Sequence, residues 1–299
     1  MASLKEIKGR IASVSSTLKI TSAMKMVASA KLHRAQSLIA NMVPYESHLH
    51  DMLSDLMEAA AERGVVTSDS SLTAERPVRK VAIVAFSSNT SLCGAFNANA
   101  VKAATAVINE YLSGGISPSD ITVYSVGRKM AEGMKKIGWT SPADFASLSD
   151  SPTYEKASAL AQDLLDKFLD GTFDKIELVY NHFKSTATQV ITRQTYLPLS
   201  ISESSAGTCQ AGYNPVVDSI VEPSAGEMIE SLLPKVVRLK IFTVLLDSSA
   251  AEHAARTVAM QTATDNGNDL LAELTLEYNK GRQQKITSEI LDIVGGSFQ

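Results

Sequence analysis

Polar and nucleophilic side chains gather directly after the first strongly apolar run of the chain. Ser88-Asn-Thr-Ser-Leu-Cys-Gly-Ala-Phe96 follows a predicted strand at 78–86 and precedes a predicted helix, the position at which open α/β sheets usually bind ligands. The chain has neither a GxGxxG nor a GxxxxGK(S/T) pattern, so the glycines of a nucleotide site are missing. Cys93 is a candidate nucleophile, but no histidine or aspartate signature lies near it in sequence, which favours a small buried residue at a turn.

Metal and anion sites find little support elsewhere. Of the five histidines, only His48 and His50 are close in sequence, and that spacing does not share a helix face. Cys93 and Cys209 are the only cysteines, too few for a disulfide framework or a cysteine zinc site. The basic step Gly127-Arg128-Lys129 at a strand end fits contact with an anion, although solvated surface is favoured. We therefore predict no catalytic residue, no cofactor and no metal site.

A polar segment at 278–290 is the remaining candidate. Its polar residues occupy almost every face of a helix and Gly281 weakens that helix, so packing within the chain does not explain it. One interpretation is a fully solvated helix. The other is a helix threaded through another protein, to which it would offer directed hydrogen bonds from Arg282, Gln283, Thr287 and Glu289.

Two very long predicted helices, at 3–63 and 227–294, carry the ends of the chain. Apolar residues of the first recur at alternating spacings of three and four, which is typical of a coiled-coil seam and is broken only at Thr21 and Lys25. The seam consists of Leu4, Ile7, Ile11, Val14, Leu18, Thr21, Lys25, Ala28, Leu32, Ala35, Ile39 and Met42. Pro44 is expected to kink or restart this helix, and Gly64 to end it.

The second helix begins at a capping box, Ser224-Ala-Gly-Glu227, and is on the order of 100 Å long at 1.5 Å per residue. Small residues follow one stripe of it, at Ala250, Ala251, Ala254, Ala255, Ala259 and Ala263, and permit close approach of another helix. Antiparallel pairing of the two ends is therefore predicted. The sequence leaves the register of this pairing open, because small-residue seams tolerate slippage.

Strand and helix patterns alternate between the two long helices. Strands are predicted at 78–86, 121–126, 176–181, 189–197 and 216–221, and helices at 97–112, 129–137 and 153–169. This order predicts an α/β plus coiled-coil fold, in which two long antiparallel terminal helices flank a central Rossmann-like α/β domain with a partly parallel sheet. The domain boundaries follow as 1–64, 77–221 and 224–299.

Bulk composition excludes several classes of protein. At 44% hydrophobic and 20% charged residues, the 299-residue chain is neither disordered nor fibrous in composition. A net charge of −4 argues against nucleic-acid binding, although residues 1–40 are locally basic. No run of about 18 apolar residues predicts a membrane span, and no secretory signal is present. The basic N-terminus is compatible with a transit peptide, but the seam continues past Met42 without a cleavage-like break.

Both ends of the chain resemble the gamma subunit of F-type ATP synthase. The N-terminal motif of that family reads here Ile11-Ala-Ser-Val-Ser-Ser-Thr-Leu-Lys-Ile-Thr-Ser-Ala-Met-Lys-Met-Val-Ala-Ser-Ala-Lys31. The C-terminal motifs read Glu252-His-Ala-Ala-Arg-Thr-Val-Ala-Met-Gln-Thr-Ala-Thr-Asp-Asn266, Tyr278-Asn-Lys-Gly-Arg-Gln283 and Ile286-Thr-Ser-Glu-Ile-Leu-Asp-Ile-Val-Gly-Gly296. These blocks are highly specific, and the likeness in architecture covers the whole chain.

The resemblance implies a non-catalytic rotor. It places the paired helices inside a ring of alpha and beta subunits and the α/β domain near the membrane c-ring and the epsilon subunit, so that ion-driven rotation is coupled to ATP synthesis or hydrolysis on beta. By the same resemblance, Met24 and Lys25 meet a moving beta domain, and Arg282, Gln283, Thr287 and Glu289 touch loops of the catalytic ring. It implies a peripheral position on the cytoplasmic face of a bacterial inner membrane, with the mitochondrial matrix side as the alternative.

The chain departs from the family pattern at a few positions. Asn89 and Thr90 replace an acidic and basic pair before the Leu-Cys-Gly turn, Ser91 replaces a glycine, and Thr257 replaces a methionine. An inserted cysteine pair of the chloroplast type is missing, so thiol regulation is not expected. The competing hypothesis is an α/β ligand-binding protein or enzyme with a dimerising coiled coil, which would need a convergent pocket around residues 87–96.

Overall fold

The computed structural model describes residues 3–62, 72, 76–199, 221–222 and 224–296. The chain divides into two compact units. The two-helix unit consists of Met1–Ala30 and Arg256–Gln299, and the α/β unit consists of Lys31–Ala255. The elements in chain order are α1 (Leu4–Glu62), β1 (Val81–Phe86), α2 (Phe96–Ser113), β2 (Ile121–Val126), α3 (Arg128–Lys136), α4 (Ala146–Asp150), α5 (Tyr154–Leu169), β3 (Lys175–Phe183), β4 (Gln189–Leu197) and α6 (Ala225–Gly296).

The sheet of the α/β unit has four strands in the order β2-β1-β3-β4. Strand β1 pairs in parallel with β2 and β3, and β4 runs antiparallel to β3 at one edge. All six residues of β1 are buried. Its sequence is therefore continuously apolar rather than alternating, as expected for a parallel strand that is covered on both faces.

Each face of the sheet has its own hydrophobic core. Val81, Ile83 and Ala85 pack with residues of α2 and α3 on one face. Ala82, Val84 and Phe86 pack on the other face with α5 and with the parts of α1 and α6 that belong to this unit. The long helices are therefore part of the core of the α/β unit, which explains why their leucines at 49, 53, 232 and 233 are buried.

An ion cluster around the buried carboxylate of Glu177 ties the edge strand β4 to β3 and α2. Glu177 on β3 accepts hydrogen bonds from Arg193 Nε on β4 at 2.6 Å and from the Tyr111 hydroxyl on α2 at 2.5 Å. Lys175 Nζ lies 2.9 Å from the same carboxylate, and Arg193 also pairs with the exposed Glu110. Burial opposes ionisation of Glu177, but the hydrogen bonds from Arg193, Tyr111 and Lys175 outweigh it and hold its pKa below the usual value.

The predicted α/β plus coiled-coil fold is confirmed, and element bounds agree within a few residues. Helix α1 continues through Pro44 without interruption, so the predicted restart there is not observed. The capping box is observed in part, because the Glu227 amide donates to Ser224 Oγ at 3.3 Å. The short helix α4 and a 3-10 turn at Pro118–Asp120 had no sequence signal. The predicted stop at Gly64 and all but the last residue of the predicted strand at 216–221 lie outside the described residues.

Candidate functional site

The heptad seam of α1 is the buried side of that helix. Every seam position from Leu4 to Met42 is buried or half-buried, including Thr21 and Lys25. In the two-helix unit, α6 supplies a matching seam with the same spacing of three and four. That seam consists of Thr257, Met260, Thr264, Gly267, Leu271, Leu274, Tyr278 and Gly281, and the half-buried Gln261 flanks it.

Cross-helix contacts define the antiparallel pairing of this unit. Leu18 occupies the space of a missing side chain at Gly267, where a β-carbon would lie 2.6 Å from its Cδ2 atom. Leu4 lies in the same way against Gly281, at 3.1 Å from the position of a β-carbon. Thr264 Oγ1 donates to Thr21 Oγ1 at 3.0 Å, and Lys25 Nζ donates to Gln261 Oε1. The two residue numbers of each pair add to 285 or 286, the signature of one uninterrupted antiparallel register.

Among the described residues of this unit, none pairs as a helix with the last part of α6. Leu4 is the first residue of α1 and lies against Gly281, and every described side chain from Arg282 to Val294 is exposed. We call residues 282–294 the tip of α6. The predicted contact residues Arg282, Gln283, Thr287 and Glu289 all lie in this tip.

The polar side chains of the tip make only local contacts among the residues described. Thr287 Oγ1 donates to the Gln283 carbonyl at 3.0 Å, which ties it to its own helix. Lys285 Nζ lies 3.6 Å from Glu289 Oε1, and both side chains are more than 60% exposed. A pair that exposed contributes little to helix stability, so both charges can be redirected to another molecule at small cost.

The tip also carries an apolar stripe that sequence reasoning missed. Ile286, Ile290 and Ile293 recur at spacings of four and three, with exposed fractions of 46%, 55% and 72%. Leu291 and Val294 extend this stripe. The spacing of these residues in the sequence is the signal for such a stripe, and the many polar residues between them obscure it. Large aliphatic side chains that repeat on one exposed helix face indicate a covered surface.

Met24 and Lys25 lie far from the tip. They lie on α1 about 30 Å along the helix from Leu4, at 1.5 Å per residue. Both are half-buried, and the Lys25 amine is engaged by Gln261 inside the unit. The predicted contact residues therefore form two groups, one at the tip and one about 30 Å along α1 from Leu4.

The loop after β1 is filled by its own side chains. The Ser88 amide donates to Asn97 Oδ1 at 3.1 Å, and the Met130 amide donates to Ser87 Oγ at 2.7 Å. Asn89 joins two neighbouring segments, because it donates to the Ala146 carbonyl at 2.7 Å and accepts from the Arg128 amide at 2.9 Å. These polar groups at the end of the sheet therefore hydrogen-bond to neighbouring protein groups.

Cys93 is buried beneath this loop, 1% exposed, and packs with Phe96 and Ala251. The prediction of a small buried residue at a turn is confirmed.

Within the described residues, no three His, Cys, Asp or Glu side chains are grouped so that they could hold a metal ion. None of the helices described here is both long and apolar enough to span a membrane. A convergent pocket of the kind that the competing enzyme hypothesis needs is therefore not supported by this loop.

Comparison with known proteins identifies the family. A family model described as ATP synthase matches residues 3–298. The ATP synthase gamma chain of Phocaeicola vulgatus is 55% identical over 298 residues and covers 100% of both chains. That of Bacteroides fragilis is 52% identical, again with 100% of both chains covered. The chain belongs to the ATP synthase gamma chain family.

Solved structures agree with this assignment at the level of the fold. A chain of the mitochondrial ATP synthase of Euglena gracilis superposes with a TM-score of 0.61 and 20% identity, covering 99% of this gamma chain and 93% of the other. A chain from the central stalk and c-ring of the Tetrahymena thermophila enzyme gives a TM-score of 0.55, covering 82% and 99%. The recognition made from the terminal motifs is confirmed. A gamma chain is a structural and regulatory subunit, and catalysis in the synthase lies on another subunit.

Proposed function

We propose that this gamma chain is the rotating central shaft of an F-type ATP synthase, coupling ion-driven rotation of the membrane c-ring to ATP synthesis or hydrolysis on the alpha/beta ring. The tip of α6 is the single observation that carries this proposal. An exposed helix end that combines an apolar stripe with polar groups bonded only locally is suited to contact with a surrounding protein. Such a helix end also depends on partner contacts for stability, since isolated helical turns are marginal in water.

We propose two contact groups on this shaft. Arg282, Gln283, Thr287 and Glu289 would meet loops of the alpha/beta ring, with Ile286, Ile290 and Ile293 as the apolar part of the same bearing. Met24 and Lys25 would meet a moving beta domain. Because the Lys25 amine donates to Gln261, that second contact would use the Met24 thioether and the Lys25 methylene groups.

The three segments of the chain would then have separate roles. We propose that 1–64 and 224–299 act as the coiled-coil shaft and that 77–221 provides the surface for the c-ring and the epsilon subunit. A peripheral position on the cytoplasmic face of a bacterial inner membrane is supported by the bacterial relatives with more than half of their residues identical. The mitochondrial structures, at 20% identity, support only the fold.

The test is co-expression with the alpha and beta subunits from the same source, followed by the mass of the complex and its ATPase activity. We expect one copy of this chain per hexameric ring and an activity that depends on it. Failure to associate, together with tight stoichiometric binding of a nucleotide by the chain alone, would overturn the proposal in favour of the ligand-binding alternative.

A further inference from the structure

Two polar interruptions of the seam face each other across the two-helix unit. Thr21 and Lys25 are the only polar residues in the α1 seam, and Thr264 and Gln261 lie directly opposite them. We infer that these four residues form a polar layer that fixes the register of the two antiparallel helices. The inference concerns this chain alone and does not depend on the proposed shaft function.

The hydrogen bonds of this layer have a fixed direction, because Gln261 accepts from a cation and donates to an anion. The Lys25 ammonium donates to the Gln261 carbonyl oxygen, and Gln261 Nε2 donates to Asp265 at 2.7 Å and 2.9 Å. The side-chain amide of Gln261 therefore lies between a cation on α1 and a carboxylate on its own helix. Its orientation is set by both partners, so the contact is satisfied at one register of α1.

A shifted register would lose the close fits of Leu18 at Gly267 and of Leu4 at Gly281, but it would keep the seam apolar. If α1 moved by one heptad towards the C-terminal end of α6, Leu18 would face Leu274 and Val14 would face Tyr278, so the seam would remain apolar. Thr21 would then face Leu271, and Lys25 would leave Gln261 for the region of Gly267. A half-buried ammonium without its acceptor is unfavourable. A slip in the other direction also separates Lys25 from Gln261.

The register has a direct consequence for the tip. A slip of one heptad changes the length of α6 that extends beyond Leu4 by about 10 Å, at 1.5 Å per residue. Every contact residue of the tip would be displaced along the helix axis by that distance. The polar layer therefore sets where Arg282 and Glu289 stand relative to α1. A single buried polar pair in a coiled coil is known to select register in this way, at some loss of stability.

Disulfide trapping in the full-length chain tests the inference. In a background with Cys93→Ala and Cys209→Ala, Val14→Cys is combined with Leu271→Cys to report the observed register, or with Tyr278→Cys to report a slip of one heptad. We expect only the first pair to cross-link under mild oxidation. With Lys25→Leu and Gln261→Leu added, we expect cross-linking of the second pair to rise about tenfold, the effect of losing one buried polar interaction.

Two controls keep the result interpretable. Lys19→Leu with Asn268→Leu makes matched polar-to-leucine changes at exposed positions of the same unit and is expected to leave both yields unchanged. The exchange Lys25→Gln with Gln261→Lys keeps the layer and is expected to restore the first pair alone. If the leucine variant cross-links only the first pair, or if the exchange variant cross-links the second, the inference is wrong.

Discussion

Gly127 approaches the backbone of Ser87 so closely that a β-carbon on Gly127 would lie 2.3 Å from the Ser87 carbonyl oxygen. Gly127 also has a φ of 103°, a conformation that side-chain-bearing residues rarely adopt. This close approach brings the start of α3 against the end of β1, where the Met130 amide donates to Ser87 Oγ. The loop that closes this end of the sheet therefore depends on a glycine at 127.

Gly127→Ala is expected to destabilise the α/β unit by about 3 kcal/mol, because backbone strain and overpacking each contribute about 1–3 kcal/mol. Urea unfolding of the full-length chain, followed by circular dichroism, measures this change. Gly138→Ala is the matched control, since Gly138 has a similar φ of 96° with no atom within 4 Å of an added β-carbon. Equal destabilisation by the two changes would show that the contact with Ser87 is unimportant.

Glu177 makes the stability of the α/β unit depend on pH in the acid range. Its pKa is held below the usual 4.5 in the folded chain, by hydrogen bonds that outweigh burial. The unfolded chain therefore takes up a proton at higher pH than the folded chain does. The contribution of Glu177 to stability is complete above about pH 4.5 and is lost as the pH falls through the lower folded pKa.

Glu177→Gln is expected to reduce the free energy of unfolding at pH 7 by about 2 kcal/mol, since Arg193 and Lys175 lose their buried carboxylate. It is also expected to flatten the decline of stability below pH 4.5. Unfolding measured from pH 3 to pH 7 gives both values. Glu110→Gln removes the exposed carboxylate on the same Arg193 and should change little. Parallel pH profiles for the original chain and Glu177→Gln would contradict this assignment.

The sequence predicted those parts of the fold that follow from periodicity. Heptad spacing predicted the first long helix, the capping box predicted the start of the second, and the apolar runs predicted all four strands of the described sheet, because burial and capping leave local patterns in the sequence. Contacts between distant segments leave no such trace. Asn89 bonding to Ala146 and Arg128, and Glu177 joining β3 to β4 and α2, depend on how the chain folds back on itself.

The sequence likewise predicted one part of the candidate site and not another. The polar residues of the tip were identified from their types, and the structure shows them exposed on one stretch of helix. That Lys25 donates to Gln261 could not be foreseen, since 236 positions separate the two residues and the register was open. Contact with other subunits stays a prediction for all six residues, Met24, Lys25, Arg282, Gln283, Thr287 and Glu289.

The apolar stripe of the tip is expected to limit the solubility of the isolated chain. Ile290→Ser with Ile293→Ser should reduce its aggregation, because both side chains are more than half exposed and contact little of the chain itself. Light scattering during storage and thermal unfolding measure the two effects, and unfolding should be unchanged. Leu233→Ser, in the core of the α/β unit, is the contrasting variant and should lower stability. Unaltered aggregation of the tip variant would count against a covered surface at this place.

Arg282→Ala with Glu289→Ala tests the polar half of the same surface. Both side chains are exposed, so their removal should leave the α/β unit folded while it weakens assembly or coupled ATP synthesis. We expect a loss of about tenfold for each charged hydrogen bond made to a partner. The control is Lys129→Ala with Glu132→Ala, which removes a partly exposed pair of the same net charge from α3. That pair lies in the segment proposed to face the c-ring and the epsilon subunit, so it is a control for contacts with the alpha/beta ring. Because neither double variant changes net charge, long-range electrostatic attraction is matched, and a difference between them reports local contact. If both assemble and couple like the original chain, the polar contacts proposed for Arg282 and Glu289 are wrong.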